Sequence, residues 1–71
     1  LFPNPANDVL NINSAYAIKK VEIYDALNRL VERRKVNNKN IQIDISNLSA
    51  GSYVVKINTA KGSVKKKLIV E

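Results

Sequence analysis

Isoleucine at every second position from Ile41 to Ile45 is the feature that most constrains the fold of this chain. Successive side chains of a β-strand point to opposite faces, so this spacing places the isoleucines on one face and Gln42 and Asp44 on the other. β-branched side chains also favour strands over helices. The segment is therefore predicted to be a strand with one buried face.

The same alternation recurs along the chain between short polar turns. Strands are predicted at residues 9–13, 21–24, 30–33, 41–46, 53–57 and 64–70. The turns between them include Asn37-Asn38-Lys39-Asn40 and Lys61-Gly62. Six short strands at spacings of roughly 8 to 12 residues predict an all-β fold, a compact antiparallel sandwich.

Residues 18–34 leave a helix open as an alternative, because Ile23 and Leu30 also lie at the spacing of one helical face. A hairpin is preferred here. Asp25 suits the first position of a turn, and Asn28 tolerates the left-handed backbone near its end. Periodicity alone does not decide between the two structures.

A chain of 71 residues forms one domain, residues 1–71, with a thin aliphatic core. It contains no cysteine, which leaves its redox compartment undetermined. Apolar runs such as Leu68-Ile69-Val70 are far below the roughly 18 residues that indicate a transmembrane helix. Because neither an initiator methionine nor a signal peptide is present, the chain is expected to be a fragment excised from a larger precursor, with any N-terminal targeting signal upstream.

No residue pattern in the sequence points to catalysis. Histidine and cysteine, the usual general base and the softest metal ligand, do not occur. Asp25 and Asp44 are predicted to be a turn former and a solubilising charge, since neither has a second carboxylate at useful spacing. Asn4, Asn7 and Asp8 lack the dense acidic loop of a calcium site. The chain is therefore expected not to be an enzyme and to have no cofactor or metal site.

The net charge of +6 makes anionic partners an open alternative. No nucleic-acid partner is expected, because the aromatic residues lie away from the lysine clusters in the sequence. Lys65 and Lys67 are expected to point opposite to Lys66, and lysines on an edge strand commonly prevent edge-to-edge pairing. Short exposed edges leave a homodimer through edge strands as a further alternative.

Seven short motifs occur in order along the chain: Phe2-Pro3-Asn4-Pro5-Ala6, Val9-Leu10-Asn11-Ile12, Val21-Glu22-Ile23-Tyr24-Asp25, Arg29-Leu30-Val31, Ile43-Asp44-Ile45-Ser46, Leu48-Ser49-Ala50-Gly51-Ser52-Tyr53 and Lys67-Leu68-Ile69-Val70. Each is unspecific by itself. Together they resemble the C-terminal sorting domain of the type IX secretion system, also called the Por secretion system sorting domain. The resemblance covers essentially all 71 residues.

This resemblance implies an immunoglobulin-like β-sandwich of six to seven short strands that acts as a secretion signal in certain gram-negative bacteria. Such a signal is recognised at the outer membrane after the precursor has reached the periplasm, and the cargo ends at the cell surface or is secreted. A sortase-like cysteine peptidase commonly removes the domain and joins the cargo to anionic lipopolysaccharide. The implied partners are therefore the secretion machinery and this peptidase, with the cleavage point upstream of Leu1.

The resemblance also supplies candidate site residues. Pro3, Asn4 and Pro5 match the N-terminal motif, and Gly51 and Tyr53 match a G-x-Y motif. Rigid chain entry and a turn with a buried aromatic would explain both without a partner. The candidate for recognition by the secretion machinery is the terminal basic-apolar motif, which comprises Lys65, Lys66, Lys67, Leu68, Ile69 and Val70.

One position departs from the family pattern. The family commonly has glycine where this chain has Asn28, and asparagine can adopt the same positive φ at modest cost.

A further expectation concerns the last strand, which could be captured by strand addition to a receptor, with its lysines binding in an acidic groove. The main rival function is an adhesive or carbohydrate-binding accessory sandwich that stays on a mature enzyme.

Overall fold

Alternating aliphatic and polar residues build four antiparallel strands within residues 8–71, the part of the chain that the computed structural model describes. The strands are β1 (Val9–Tyr24), β2 (Leu30–Asp44), β3 (Gly51–Thr59) and β4 (Gly62–Val70). They form one sheet in the order β2-β1-β3-β4. The prediction of an all-β antiparallel fold is confirmed. No helix in this part of the chain is long and apolar enough to cross a membrane.

Two pairs of predicted strands are joined into two long strands. The segments at 9–13 and 21–24 both belong to β1. Those predicted at 30–33 and 41–46 both fall on β2, which ends at Asp44, two residues earlier than predicted. The predicted polar turn at residues 37–40 is therefore wrong. These residues bury little, but Asn40 still pairs with Asn13 and Asn38 with Ile18. A polar segment can continue a strand because backbone pairing, and not burial, maintains the ladder.

The segment that was ambiguous between helix and hairpin is a hairpin. Residues 18–24 lie in β1, residues 25–29 form the turn and β2 begins at Leu30. Ile18–Tyr24 has strand neighbours on both sides, since it pairs with β2 and with β3. The predicted hairpin is thus confirmed, and its first strand lies inside the sheet.

One cluster of buried residues holds the sheet together: Leu10, Ile12, Ile18, Val21, Ile23, Ile43, Ile45, Tyr53, Val55, Ile57, Leu68 and Val70. β3 pairs with residues 18–24 of β1, whereas Leu10 and Ile43 pair with each other far along the β1–β2 hairpin. Both of these side chains are nevertheless fully buried in the same cluster. The hairpin must therefore bend so that its far end covers the sheet.

Irregular pairing marks the place of this bend. The register of the β1–β2 ladder shifts between Asn13 and Ile18 and again between Ile18 and Lys20. Such shifts let a strand turn without breaking its pairing. Because of the bend, the core lies between the far end of the β1–β2 hairpin and the rest of the sheet. The described residues contain four strands and not the predicted six. The immunoglobulin-like sandwich stays a prediction.

Val64 and Leu68 share one face of β4, so substitutions at these positions test how far the core extends along the strand. Leu68 is fully buried, whereas Val64 on the same strand is 48% exposed. We expect Leu68→Ala to lower the free energy of unfolding by about 2–5 kcal/mol, because it leaves a cavity in the core. Val64→Ala, the matched control, should cost less than about 1 kcal/mol. Urea denaturation followed by circular dichroism measures both, and equal losses would contradict the proposed core.

Candidate functional site

Asp25 closes the turn between β1 and β2. Its Oδ1 accepts hydrogen bonds from the backbone N–H groups of Leu27 and Arg29, both at 2.9 Å, and its Oδ2 accepts one from Arg29 Nε at 2.9 Å. The backbone N–H of Arg29 is the main cause that lowers the pKa of Asp25 below its ordinary value. Asn28 completes the turn with φ of 65°, so its predicted left-handed backbone is confirmed.

Asp44 is a second carboxylate that is stabilised in its ionised form. The Ser46 hydroxyl, and then the Ser46 backbone N–H at 2.9 Å from Oδ1, lower the pKa of Asp44. A general acid that works at neutral pH needs a raised pKa. The pKa values of both aspartates are instead lowered, which does not suit that role. Their geometry fits the predicted structural roles.

Gly51 and Tyr53 stand at the start of β3. The Tyr53 ring is buried in the core, and its hydroxyl donates a 2.6 Å hydrogen bond to the Ser49 carbonyl oxygen. This bond ties the loop after β2 to β3. The structure thus gives Tyr53 a stabilising role, and a contact with the secretion machinery stays a prediction. Pro3, Asn4 and Pro5 lie outside the described residues, and their predicted role is likewise untested.

β4 divides the terminal basic-apolar motif between two environments. Leu68 and Val70 are buried, at 0% and 3% exposure, whereas the lysines are exposed. Lys65 pairs with Lys56 and Lys66 with Val55, which places their side chains on opposite faces as expected. The apolar members therefore anchor the strand while the lysines remain accessible to a partner. Recognition by the six residues, Ile69 included, stays a prediction.

The three lysines of β4 line a groove of about 530 Å³. The turn closed by Asp25 forms the opposite wall, and residues of β3 lie between. The lining residues are Asp25, Ala26, Asn28, Ser52, Tyr53, Val54, Lys65, Lys66 and Lys67. No local pattern in the sequence indicates this groove, because its walls come from segments far apart in the chain. Its mixture of lysines, apolar surface and an amide suits an anionic, partly apolar partner.

Tyr24 corrects one premise of the sequence argument. It pairs with Val54 across the sheet and lines a smaller groove of about 230 Å³ together with Lys56 and Lys65. The expectation that aromatic residues lie away from the lysines is therefore wrong, since strand pairing brings them together. The expected absence of a nucleic-acid partner loses that support and stays a prediction.

The family described as the secretion system C-terminal sorting domain has a model that matches residues 1–71, the full length of the chain. The chain belongs to this family. The resemblance drawn from the short motifs is thereby confirmed, and with it a role as a C-terminal sorting signal of type IX secretion. Members of this family are sorting signals and not a catalytic class.

A similar segment occurs in Beta-agarase D of Zobellia galactanivorans. The sorting domain is 32% identical to that protein over 71 residues, which is 99% of the chain. It spans only 14% of the length of Beta-agarase D. The similarity therefore concerns a small segment of a much larger protein.

The lowered pKa values of Asp25 and Asp44 predict that the domain loses folding stability in acid. Their folded-state pKa values lie below those of the unfolded chain, so the unfolded state binds protons more tightly. Their stabilising contribution is complete above the unfolded pKa of about 3.9 and is lost as the pH falls through the folded pKa. Urea denaturation of the sorting domain near neutral pH and near pH 3 should show a lower midpoint in acid.

A double variant serves as the control for this pH dependence. Asp25→Asn with Asp44→Asn removes both titrating groups, so its urea midpoint should be lower near neutral pH and should change less on acidification. A midpoint that falls as steeply in the double variant as in the unchanged domain would show that other groups cause the acid sensitivity.

Proposed function

We propose that this sorting domain directs a cargo protein through the type IX secretion system and is then removed by a sortase-like peptidase as the cargo is attached to the cell surface. The observation that carries the proposal is the match of the sorting-domain family over residues 1–71. The similarity to 14% of Beta-agarase D also supports it, because a module of that share leaves most of a protein for a separate cargo.

The proposed recognition element is the terminal basic-apolar motif of β4. Its buried Leu68 and Val70 fix the strand, so that the side chains of Lys65, Lys66 and Lys67 are presented at defined positions beside the 530 Å³ groove. A rigid support of this kind lowers the entropy that a partner must remove on binding. An acidic groove in a receptor at the outer membrane would complement the lysines.

The burial of Leu68 also determines how this element should be tested. Deletion of residues 67–71 removes Leu68 and Val70 from the core together with one lysine, so it disrupts the fold as well as the recognition element. Charge reversal of the lysines changes the exposed side chains and leaves the apolar anchors in place.

A secretion assay in a bacterium with a type IX system tests the function. A cargo fused to the sorting domain should appear in the medium or at the cell surface. We expect the triple variant Lys65→Glu, Lys66→Glu, Lys67→Glu to reduce the exported amount by about tenfold or more, because it reverses the charge offered to the receptor. The matched control reverses Lys19, Lys39 and Lys61, which lie outside the motif.

Two outcomes would count against the proposal in different ways. Export of the triple variant at the level of the control would show that the β4 lysines are not recognised. Retention of the unchanged fusion inside the cell would contradict the sorting function itself. Intact-mass measurement of the exported cargo tests removal by the peptidase: a cargo that keeps the domain would instead fit an accessory adhesion or carbohydrate-binding module.

A further inference from the structure

The face of the sheet that points away from the core carries a concentration of positive charge. Glu22 on β1 pairs with Arg33 of β2 and with Lys56 of β3, and Lys56 pairs in turn with Lys65 of β4. Lys20, two residues before Glu22, pairs with Lys35. Directly paired residues share a face of the sheet. We name Lys20, Arg33, Lys35, Lys56 and Lys65 the basic face.

Glu22 is the carboxylate at the centre of the basic face, and it is too deeply placed to meet a partner. It is 5% exposed and lies 3.5 Å from Arg33 Nε and 3.9 Å from Lys20 Nζ. Glu22 therefore partly neutralises Lys20 and Arg33. Within the described residues, Lys35, Lys56 and Lys65 have no carboxylate at ion-pair distance. The basic face therefore retains a net positive charge.

Two pairs of lysines on this face oppose the stability of the sheet. Lys20 lies directly opposite Lys35, and Lys56 lies directly opposite Lys65. Like charges in such cross-strand positions repel each other and destabilise a sheet. Protection of the edge strands β2 and β4 accounts for Lys35 and Lys65, and the buried Glu22 accounts for cations near it. Neither requires two lysines directly opposite each other, whereas a negatively charged partner would remove their repulsion.

An apolar row runs beside the charged row. Tyr24 pairs with Leu30 on β2 and with Val54 on β3, and Leu30 and Val54 are 41% and 39% exposed. Residues 22 and 24 share a face of β1, so this row adjoins the row that contains Glu22. Apolar side chains next to charged ones are typical of a surface that contacts another protein. A surface that binds only phosphate or another polyanion does not require the apolar row.

We propose that the basic face and its apolar row dock an acidic, partly apolar surface of a partner protein. This surface overlaps the terminal motif at Lys65, and Lys67 of that motif pairs with Val54 at the β4 end of the apolar row. Its other cations, on β1, β2 and β3, lie outside the motif. The inference rests on the proposed function, because the secretion route supplies the partner. Carboxylates of the partner lie over Lys35, Lys56 and Lys65, and its apolar side chains contact Leu30 and Val54.

A binding experiment on the 71-residue chain tests the chemistry of this surface. The probe is a fluorescent peptide that alternates glutamate and leucine, and its affinity is measured by fluorescence polarisation. Lys35→Gln with Lys56→Gln should weaken binding by about tenfold. The control, Lys39→Gln with Lys61→Gln, removes the same charge from outside the face and should change binding by less than about twofold.

The stability of the same variants separates docking from a structural role. Each substitution in Lys35→Gln, Lys56→Gln removes one member of a repelling pair, so the urea midpoint should stay the same or rise while binding weakens. A fall in the midpoint that accompanies the loss of binding would overturn the inference. So would equal loss of binding in the control variant.

Two further probes decide the class of partner. Oligothymidylate and phosphatidylglycerol vesicles offer phosphates in place of carboxylates. We expect both to bind more weakly than the peptide at physiological salt and to be equally affected by the two double variants. Tighter binding of either probe, lost in Lys35→Gln with Lys56→Gln and kept in the control, would replace the acidic protein with a nucleic acid or a membrane surface.

The secretion assay separates this inference from the proposed function. If the unchanged fusion is exported and the Lys35→Gln, Lys56→Gln fusion is retained, the basic face acts in secretion. If both are exported equally, docking at this face is contradicted and the sorting function stands. If the unchanged fusion is not exported, the sorting function fails, and the peptide experiment alone decides whether the face binds an acidic partner.

Discussion

The rest of the structure depends on the burial of the far end of the β1–β2 hairpin against the other half of the sheet. A sheet whose two faces both meet water cannot bury enough apolar surface to be stable. Here Leu10 of β1 and Ile43 of β2 lie beyond the bend in the hairpin. Both are fully buried in the same cluster as side chains of β3 and β4. The same covering leaves the opposite face of the sheet open, which is why charged residues can gather there.

Local chemistry explains which parts of the fold could be predicted from the sequence. The spacing of Ile43 and Ile45 predicts a buried strand face, and both side chains are fully buried. Asp25 and Asn28 form the turn that their chemistry predicts, because its hydrogen bonds join residues close together in the chain. The polar residues 37–40 were wrongly predicted to be a turn. Whether they continue a strand depends on their pairing partners in β1, which periodicity does not reveal.

The candidate site was predictable only in part, for a related reason. The lysines of β4 are adjacent in the sequence, so a motif can show them, and their alternation between faces follows from strand geometry. The position of Tyr24 next to Lys56 and Lys65 depends on how three strands are paired. Residues that are distant along the chain become neighbours only through the register of the sheet, which no local pattern specifies.

Cross-strand pairing has a consequence for what a receptor can distinguish. Arg33, Lys56 and Lys65 are far apart along the chain and become a single row only when β2, β1, β3 and β4 have paired in register. In a disordered tail the same cations are dispersed over a fluctuating coil. A receptor with rigidly spaced carboxylates would therefore bind the row only after the domain has folded. If the export machinery recognises this row, as proposed, only a domain that has completed folding would be admitted to the export route.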